Sequence, residues 1–203
     1  LRRRQRQMCI RDSLYMMSEL GVKVVGSDYS QAMLEVAEKN LSERGKEIPL
    51  HQCDFRFLEE IHKDKFDAIV CLTTALPHLH TEIDLITALK SMKARLKDGG
   101  LLVLTQGTTH RNLMLPPIEV VVNREDFSRI FVKEQDDQFQ TIHVLDLYHS
   151  PKRMENNQYD IVYKIILDDE YRALLTEAGF KQIQIYGDYE GTPYDCLLYT
   201  SPS

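Results

Sequence analysis

Two rhythms of apolar residues divide this chain of 203 residues. Up to about residue 106, short apolar runs alternate with stretches in which apolar positions recur every three or four residues. The runs are residues 22–27, 49–53, 66–72 and 101–105, each of strand length. Phe66-Asp-Ala-Ile-Val-Cys-Leu72 is almost continuously apolar, the pattern of a strand covered on both faces. Between the runs lie predicted helices. Residues 14–20 read as the end of one, stopped by Gly21. Ser30 is placed to cap a second, over 31–44, with Met33, Ala37 and Leu41 along one face and Gly45 after it. Thr81 and Asp84 form a capping box for a third, whose stripe is Ile83, Leu85, Ile86, Leu89, Met92 and Leu96, and Gly99-Gly100 is expected to end it.

Residues 107–166 change to period 2. Ile118–Asn123 and residues 127–133, 139–148 and 159–167 alternate, with Asp136-Asp137 and Asn156-Asn157 as turn residues between them. They predict an antiparallel insertion of three or four strands. Asp168 then opens a helix to about Ala178, Gly179 stops it, and residues 181–186 read as one more strand. The order strand, helix, strand, strand, helix, strand predicts an α/β fold, doubly wound and mostly parallel. One element is missing from that pattern. No strand with a glycine-rich turn precedes Gly21, so the sheet is expected to lack its first strand and its glycine-rich loop.

Both ends depart from either rhythm. Residues 1–13 and 196–203 have no apolar period and resemble translated adapter read-through. We therefore expect a non-native or disordered arm, an incomplete domain over 14–195 carrying the 107–166 insertion, and a non-native tail. The length suits one domain with a single core. No apolar run reaches the 18 residues of a membrane span, and the arginine-rich start lacks the apolar core of a signal peptide.

Charge narrows the partners. Arg2, Arg3, Arg4, Arg6 and Arg11 against Asp12 give the first 13 residues a net charge of +4, so the body carries −10 of the total of −6. An acidic body is a poor match for a phosphate backbone, which argues against nucleic acid. Cys9, Cys53, Cys71 and Cys196 form no C-x-x-C and have no histidine at zinc-finger spacing. Reduced thiols in a cytoplasmic protein, and no metal site, are the expectation.

Two acids carry the candidate chemistry. Asp28 ends the run Val24-Val-Gly-Ser-Asp28 and precedes a capped helix. A carboxylate there can take both ribose hydroxyl protons of a nucleotide, although a solvated helix-start acid has the same spacing. Asp54, followed by Phe55, ends the next run, where an acid can accept from an adenine amino group while the aromatic ring packs on the base. The two strands would lie side by side.

Val24-Val-Gly-Ser-Asp28-Tyr-Ser-Gln-Ala-Met33-Leu, Cys53-Asp54-Phe55-Arg56, Phe66-Asp-Ala-Ile-Val-Cys-Leu72 and Leu96-Lys-Asp-Gly-Gly-Leu-Leu-Val-Leu104 together resemble the class I S-adenosylmethionine-dependent methyltransferases. Leu76-Pro77-His78-Leu79 and the β insertion resemble their glycine/sarcosine N-methyltransferase-like branch, which acts on small molecules. The resemblance implies S-adenosylmethionine as cofactor and a small-molecule methyl acceptor, most simply an amine. Asp28 would bind the ribose, with Tyr29 and Met33 around the adenosine. Asp54 would accept from adenine beside Phe55, and Leu72 and Thr73 would approach the methionine moiety through backbone atoms. That branch often has Gly-Asn-Ser where this chain has Thr73-Thr74-Ala75.

The chemistry asks for alignment more than for catalytic groups. An amine acceptor must arrive deprotonated, and His78 is the group placed to assist, against the plainer reading of a structural imidazole. His110, His143 and His149 lie in the insertion. His143 and Asp146 fall on opposite strand faces and form no pair, and Asp188, Tyr189, Glu190 and Asp195 read as a solvated loop. The rival readings are a nicotinamide-dependent oxidoreductase, which shares the strand-final acid, and a non-catalytic methyltransferase-like fragment. Without glycines that let backbone N–H groups reach the cofactor, weak binding is expected. The sequence does not bear on oligomeric state.

Overall fold

A computed structural model describes residues 10–150 and 153–195. They form two compact units, drawn from Leu1–Ala75, Ile83–Gln106 and Glu177–Phe180, and from Leu76–Glu82, Gly107–Thr176 and Lys181–Ser203. The expected tail at 196–203 and most of the expected basic arm lie outside the described residues.

In the first unit, helix α1 (Ile10–Glu19) leads to strand β1 (Gly26–Asp28), helix α2 (Gln31–Ser42) and strand β2 (Leu50–Gln52). A 3-10 turn at Phe55–Phe57 and a one-turn helix, α3 (Leu58–Ile61), lead to strand β3 (Phe66–Cys71), helix α4 (Glu82–Arg95) and strand β4 (Leu96–Leu104). β1 pairs with β2 and β3 with β4, both parallel. Each pair joins its strands across a helix, as the sequence pattern required. Among the described residues β1 has no strand partner but β2, and β3 none but β4. Among the described residues the sheet therefore stands as two separate parallel pairs, with no strand before β1.

Helix boundaries follow local chemistry. The Ser30 hydroxyl accepts from the Met33 N–H and caps α2, whose buried face is Leu34, Ala37 and Leu41. Gly21, Gly45 and Gly179 follow α1, α2 and the last helix with φ of 76°, 68° and 90°, the left-handed stop that only glycine adopts without strain. α1 is helical from Ile10, the first described residue, ahead of the stretch that the apolar pattern indicated.

Several expectations are corrected. The strand expected over 22–27 shrinks to Gly26–Asp28, because its ladder meets Pro49, which accepts from the Gly26 N–H at 2.9 Å but has no N–H to give back. Gly99-Gly100 does not end α4. The helix stops at Arg95, and the two glycines lie inside β4, where the register with β3 shifts between Phe66 and Ala68. Ile83 is 79% exposed, and Ala88 and Ser91 join Leu85, Leu89 and Met92 on the buried stripe. Met33 is likewise on the open side of α2. β3 is not covered on both faces, since Ala68 and Val70 are exposed. Its apolar content belongs to a strand within a wider sheet, and here it has a single neighbour.

The second unit is built on an antiparallel sheet in the order β5 (Ile118–Asn123), β6 (Phe127–Gln135), β7 (Phe139–Ser150) and β8 (Arg153–Lys164). It is the insertion read from the alternation, and Ile118–Asn123 matches residue for residue. The Asp136 carboxylate accepts from the Gln138 and Phe139 N–H groups, both at 2.7 Å, and forms the β6–β7 turn. Asn156 and Asn157 are not a turn. They pair with Leu147 and Asp146 inside a longer β8. A short helix, α5 (His110–Leu113), precedes the sheet, and α6 (Asp168–Glu177) follows it. Residues 181–186 form no strand and make only a bridge between Tyr186 and Pro193, because no other described strand lies beside them. Inside this unit Asp146 is buried against Arg129, its cross-strand partner, in a two-bonded ion pair with bonds of 2.5 and 2.6 Å. The half-buried His143 points to the opposite face, as the alternation required.

Gly100 is a point of close approach. A Cβ there would lie 2.9 Å from the Lys97 carbonyl oxygen and 3.2 Å from that of Asp67, both backbone atoms. Gly100→Ala is expected to destabilise the first unit by about 1–3 kcal/mol, read as a lowered urea midpoint. An unchanged midpoint would contradict the packing described.

Candidate functional site

The carboxyl ends of β1 and β2 bring the two acids together. Asp28 is the last residue of β1 and is level with Gln52, the last of β2. The Cys53 N–H donates to the Asp28 carbonyl at 3.0 Å, and the Gln52 side chain donates to the Tyr29 carbonyl at 3.1 Å, so the two ends are tied beyond the ladder. Asp54 follows at once and caps the 3-10 turn. The adjacency expected from the spacing is present.

The two carboxylates differ in what they have left to offer. Asp28 is half-buried, and its Oδ1 accepts from the Ser30 N–H at 2.9 Å. That bond orients the group and leaves Oδ2 without a hydrogen bond among the described residues. A half-buried carboxylate with one fixed and one open oxygen fits a pair of vicinal hydroxyls.

Asp54 is more committed. Its Oδ1 accepts from the Arg56 N–H at 2.9 Å, and the Arg56 guanidinium reaches both oxygens, with Nη2 at 2.6 Å from Oδ2. Nη1 of the same guanidinium meets the Asp84 carboxylate of α4 at 2.6 Å. Arg56 thus bridges two acids, and its side-chain bonds hold the Asp54 carboxyl below the usual range. An adenine amino group would have to share Asp54 with Arg56. Sequence reasoning passed over Arg56, although the Asp-x-Arg spacing, with both side chains on one turn, was a readable signal.

The other expected cofactor residues are placed as follows. Tyr29 is exposed, with its ring free to lie over a ligand, and Met33 is less so. Phe55 and Leu72 are half-buried, and Thr73 is exposed. Thr73 and Thr74 both have φ of 61°, a left-handed conformation that is costly for a β-branched residue. Thr105 holds them there. Its hydroxyl accepts from the Thr73 N–H at 2.9 Å and its carbonyl from the Thr74 N–H at 3.1 Å. Those two donors are used inside the fold, so a ligand at this strand end would meet carbonyl oxygens and side chains.

Beneath β1 lies a buried imidazole that the sequence did not single out. His62 Nε2 is 2.6 Å from the Ser27 hydroxyl, and its ring meets His51 and Phe66 edge-on at 5.2 and 5.5 Å. Burial, with His51 nearby, lowers its pKa, so it supports the strand as a neutral ring. Cys53 and Cys71 are free thiols, and burial pushes Cys71 up to about 11.

His78 belongs to the second unit, in the 3-10 turn Leu76–His78. It remains exposed, and one side of its ring meets Tyr163 of β8, with centroids 4.8 Å apart. His143 is held by Asp160 at 2.7 Å, which raises its pKa, His149 meets the Ser128 hydroxyl at 3.0 Å, and His110 lies 3.7 Å from Asp168. Asp188 accepts from the Glu190 and Thr192 N–H groups, as a loop-building acid does. Among the described residues, no group of three or more His, Cys, Asp or Glu could hold a metal ion, and no helix is long and apolar enough to cross a membrane.

Residues 11–100 match the family described as a methyltransferase domain. The chain is 30% identical over 187 residues to a glycine/sarcosine N-methyltransferase from Parasynechococcus marenigrum, covering 85% of this chain and 60% of that protein. It is 27% identical over 176 residues to a glycine/sarcosine N-methyltransferase from Aphanothece halophytica, covering 86% and 64%. It therefore spans less than two thirds of the length of these relatives. Among solved structures, an S-adenosylmethionine-dependent methyltransferase from Clostridium acetobutylicum superposes with a TM-score of 0.80 at 16% identity, over 92% of this chain and 76% of that one. An amino pentose methyltransferase from Micromonospora echinaspora gives 0.74 at 20% identity, over 91% and 78%.

The match over residues 11–100 is to a methyltransferase domain, and the fold is similar to that of S-adenosylmethionine-dependent methyltransferases. Within that class its relatives by sequence include glycine/sarcosine N-methyltransferases. The domain match favours a methyltransferase over the alternative of a nicotinamide-dependent oxidoreductase.

Removing the Arg56 bridge tests the electrostatics. Because Asp54 titrates below its unfolded value, the pair stabilises the fold above the unfolded pKa of about 3.9, and that contribution is lost as pH falls through the folded one. Arg56→Gln is therefore expected to raise the Asp54 pKa by carbon-detected NMR. The stability gap from the parent chain should be widest near neutrality and narrow as the solution is acidified. A gap independent of pH would refute the assignment.

Proposed function

We propose that this chain is the cofactor-binding part of an enzyme that transfers a methyl group from S-adenosylmethionine to a nitrogen of a small molecule. The observation that carries the reading is the side-by-side placement of Asp28 and Asp54 at the carboxyl ends of two parallel strands, in a domain whose relatives include glycine/sarcosine N-methyltransferases. The donor set fits the cofactor in part. Asp28, with one oxygen pinned by Ser30 and the other open, would take the ribose hydroxyls. Tyr29 and Met33 would cover the adenosine, and Asp54 would take the adenine amino group while keeping Arg56. Leu72 and Thr73 would face the methionine moiety.

When bound, S-adenosylmethionine supplies a methyl group already activated on a sulfonium. The residues of this chain then have to hold, orient and deprotonate. Asp28 fixes the ribose end, which sets where the methyl group lies. His78 is the proton acceptor for an amine that arrives as its ammonium ion. Burial and the neighbouring His80 lower its pKa, so the ring is a free base at neutral pH. The acceptor is a small amine, in keeping with the glycine/sarcosine N-methyltransferases and the amino pentose methyltransferase among the likenesses. An acidic body speaks against nucleic acid as the acceptor, and two free thiols fit a cytoplasmic setting.

Saturation-transfer NMR, which registers weak as well as tight binding, should show S-adenosylmethionine on the chain and no NAD. Asp28→Ala is expected to weaken that binding about tenfold or more, and Asp28→Asn by less, since one acceptor oxygen remains. Transfer of a labelled methyl group to glycine, sarcosine or an amino sugar would identify the acceptor. Binding of NAD alone, or Asp28→Ala binding like the parent chain, would overturn the reading.

A further inference from the structure

The second unit contains an aromatic arrangement that joins segments far apart in the chain. The segment carrying Leu76–His78 is anchored on the inserted sheet by two imidazoles. His78 rests on Tyr163 with the rings tilted by 55°, and His80 meets Phe139 edge-on at 5.4 Å while its Nε2 lies 3.2 Å from the Val162 carbonyl oxygen. Val162 and Tyr163 are neighbours on β8, and Phe139 opens β7. Leu76 and Pro77 are buried, so the turn is rooted in the sheet while His78 stays exposed.

We propose that Tyr163 is the positioning residue for His78: its ring holds the imidazole with one side covered and the other open to an incoming ammonium acceptor, and His80 locks the turn that presents it. The assignment rests on the proposed methyl transfer to an amine and gives the inserted sheet a part in it. The acceptor's N–H bond breaks, its electron pair stays on nitrogen, and the proton goes to the imidazole. That lone pair then forms the new N–CH3 bond as the S–CH3 bond breaks and its pair moves to sulfur. For this the imidazole must be unprotonated yet reachable. Tyr163 supplies the cover, and its own phenol is kept protonated by burial and by Tyr159 on the same strand. The titratable groups acting on His78 are His80 from its own segment and Tyr163 from β8.

The test is a proton NMR titration of His78, which needs no methyl transfer to be read. In the parent chain the Tyr163 ring signals should follow the His78 titration, whose midpoint lies below the ordinary 6.5. Tyr163→Ala should raise that midpoint toward 6.5, and Tyr163→Phe should keep it where the parent chain has it. With an amine acceptor, the acid limb of kcat/KM should move upward in Tyr163→Ala with little change in S-adenosylmethionine binding. Tyr163 signals indifferent to His78 in the parent chain would overturn the proposal without any variant. So would a folded Tyr163→Ala with an unmoved midpoint, or a Phe variant that moves as far as the Ala variant. If the NMR results hold and no methyl transfer occurs, the proposed reaction fails while the positioning stands.

Discussion

The hydrogen bond from the Cys53 N–H to the Asp28 carbonyl closes a ladder between two strands of only three residues each. Everything proposed for the cofactor end depends on that pairing. Parallel strands require a crossover, and α2 supplies it with a cap at Ser30 whose N–H also fixes one oxygen of Asp28. One residue thus starts the helix that makes the pairing possible and aims the acid that the pairing presents. Arg56 is bonded to Asp54 and to Asp84 of α4, so the Asp54 carboxylate is already compensated by a cation. Asp28 is left as the open acceptor.

The price of a short ladder is visible elsewhere in the first unit. β3 has the composition of a strand between two others, but among the described residues it pairs with β4 alone and leaves Val70 exposed, and Leu101 of β4 is 60% exposed. Unpaired strand edges and uncovered apolar faces favour association with other chains. The second unit has the opposite character. Its four strands pair antiparallel from β5 to β8, with one register shift between Val120 and Val122 of β5, and the ion pair between Arg129 and Asp146 is buried within it. A buried two-bonded pair requires its partners in register, so it favours one alignment of β6 on β7.

The proteins this chain is similar to share its fold, while the acceptors in their names, glycine or sarcosine and an amino pentose, differ. The difference must then reside in segments outside the parallel strands. In this chain the inserted sheet and the Leu76–His78 turn form such a segment, with exposed and partly covered aromatic groups.

Much of this was legible in the residues. Period 2 marked the inserted strands because an antiparallel sheet with one covered face demands alternation, and glycines marked helix ends because only they accept a left-handed stop cheaply. Asp28 and Asp54 were legible because a strand-final acid is a local feature. Contacts between segments distant in the chain were not. That Arg56 joins Asp54 to Asp84, that Thr105 holds two threonines in a left-handed turn, and that Tyr163 lies against His78 depends on parts of the chain 28, 32 and 85 residues apart. The composition of β3 called for two covered faces, yet its burial was decided by how many strands stand beside it. The sequence by itself determined where strands, helices and candidate acids fall, since those follow from neighbours along the chain. Only the tertiary structure decided which of those groups are already occupied, because hydrogen-bonding capacity is shared out between segments that meet in space.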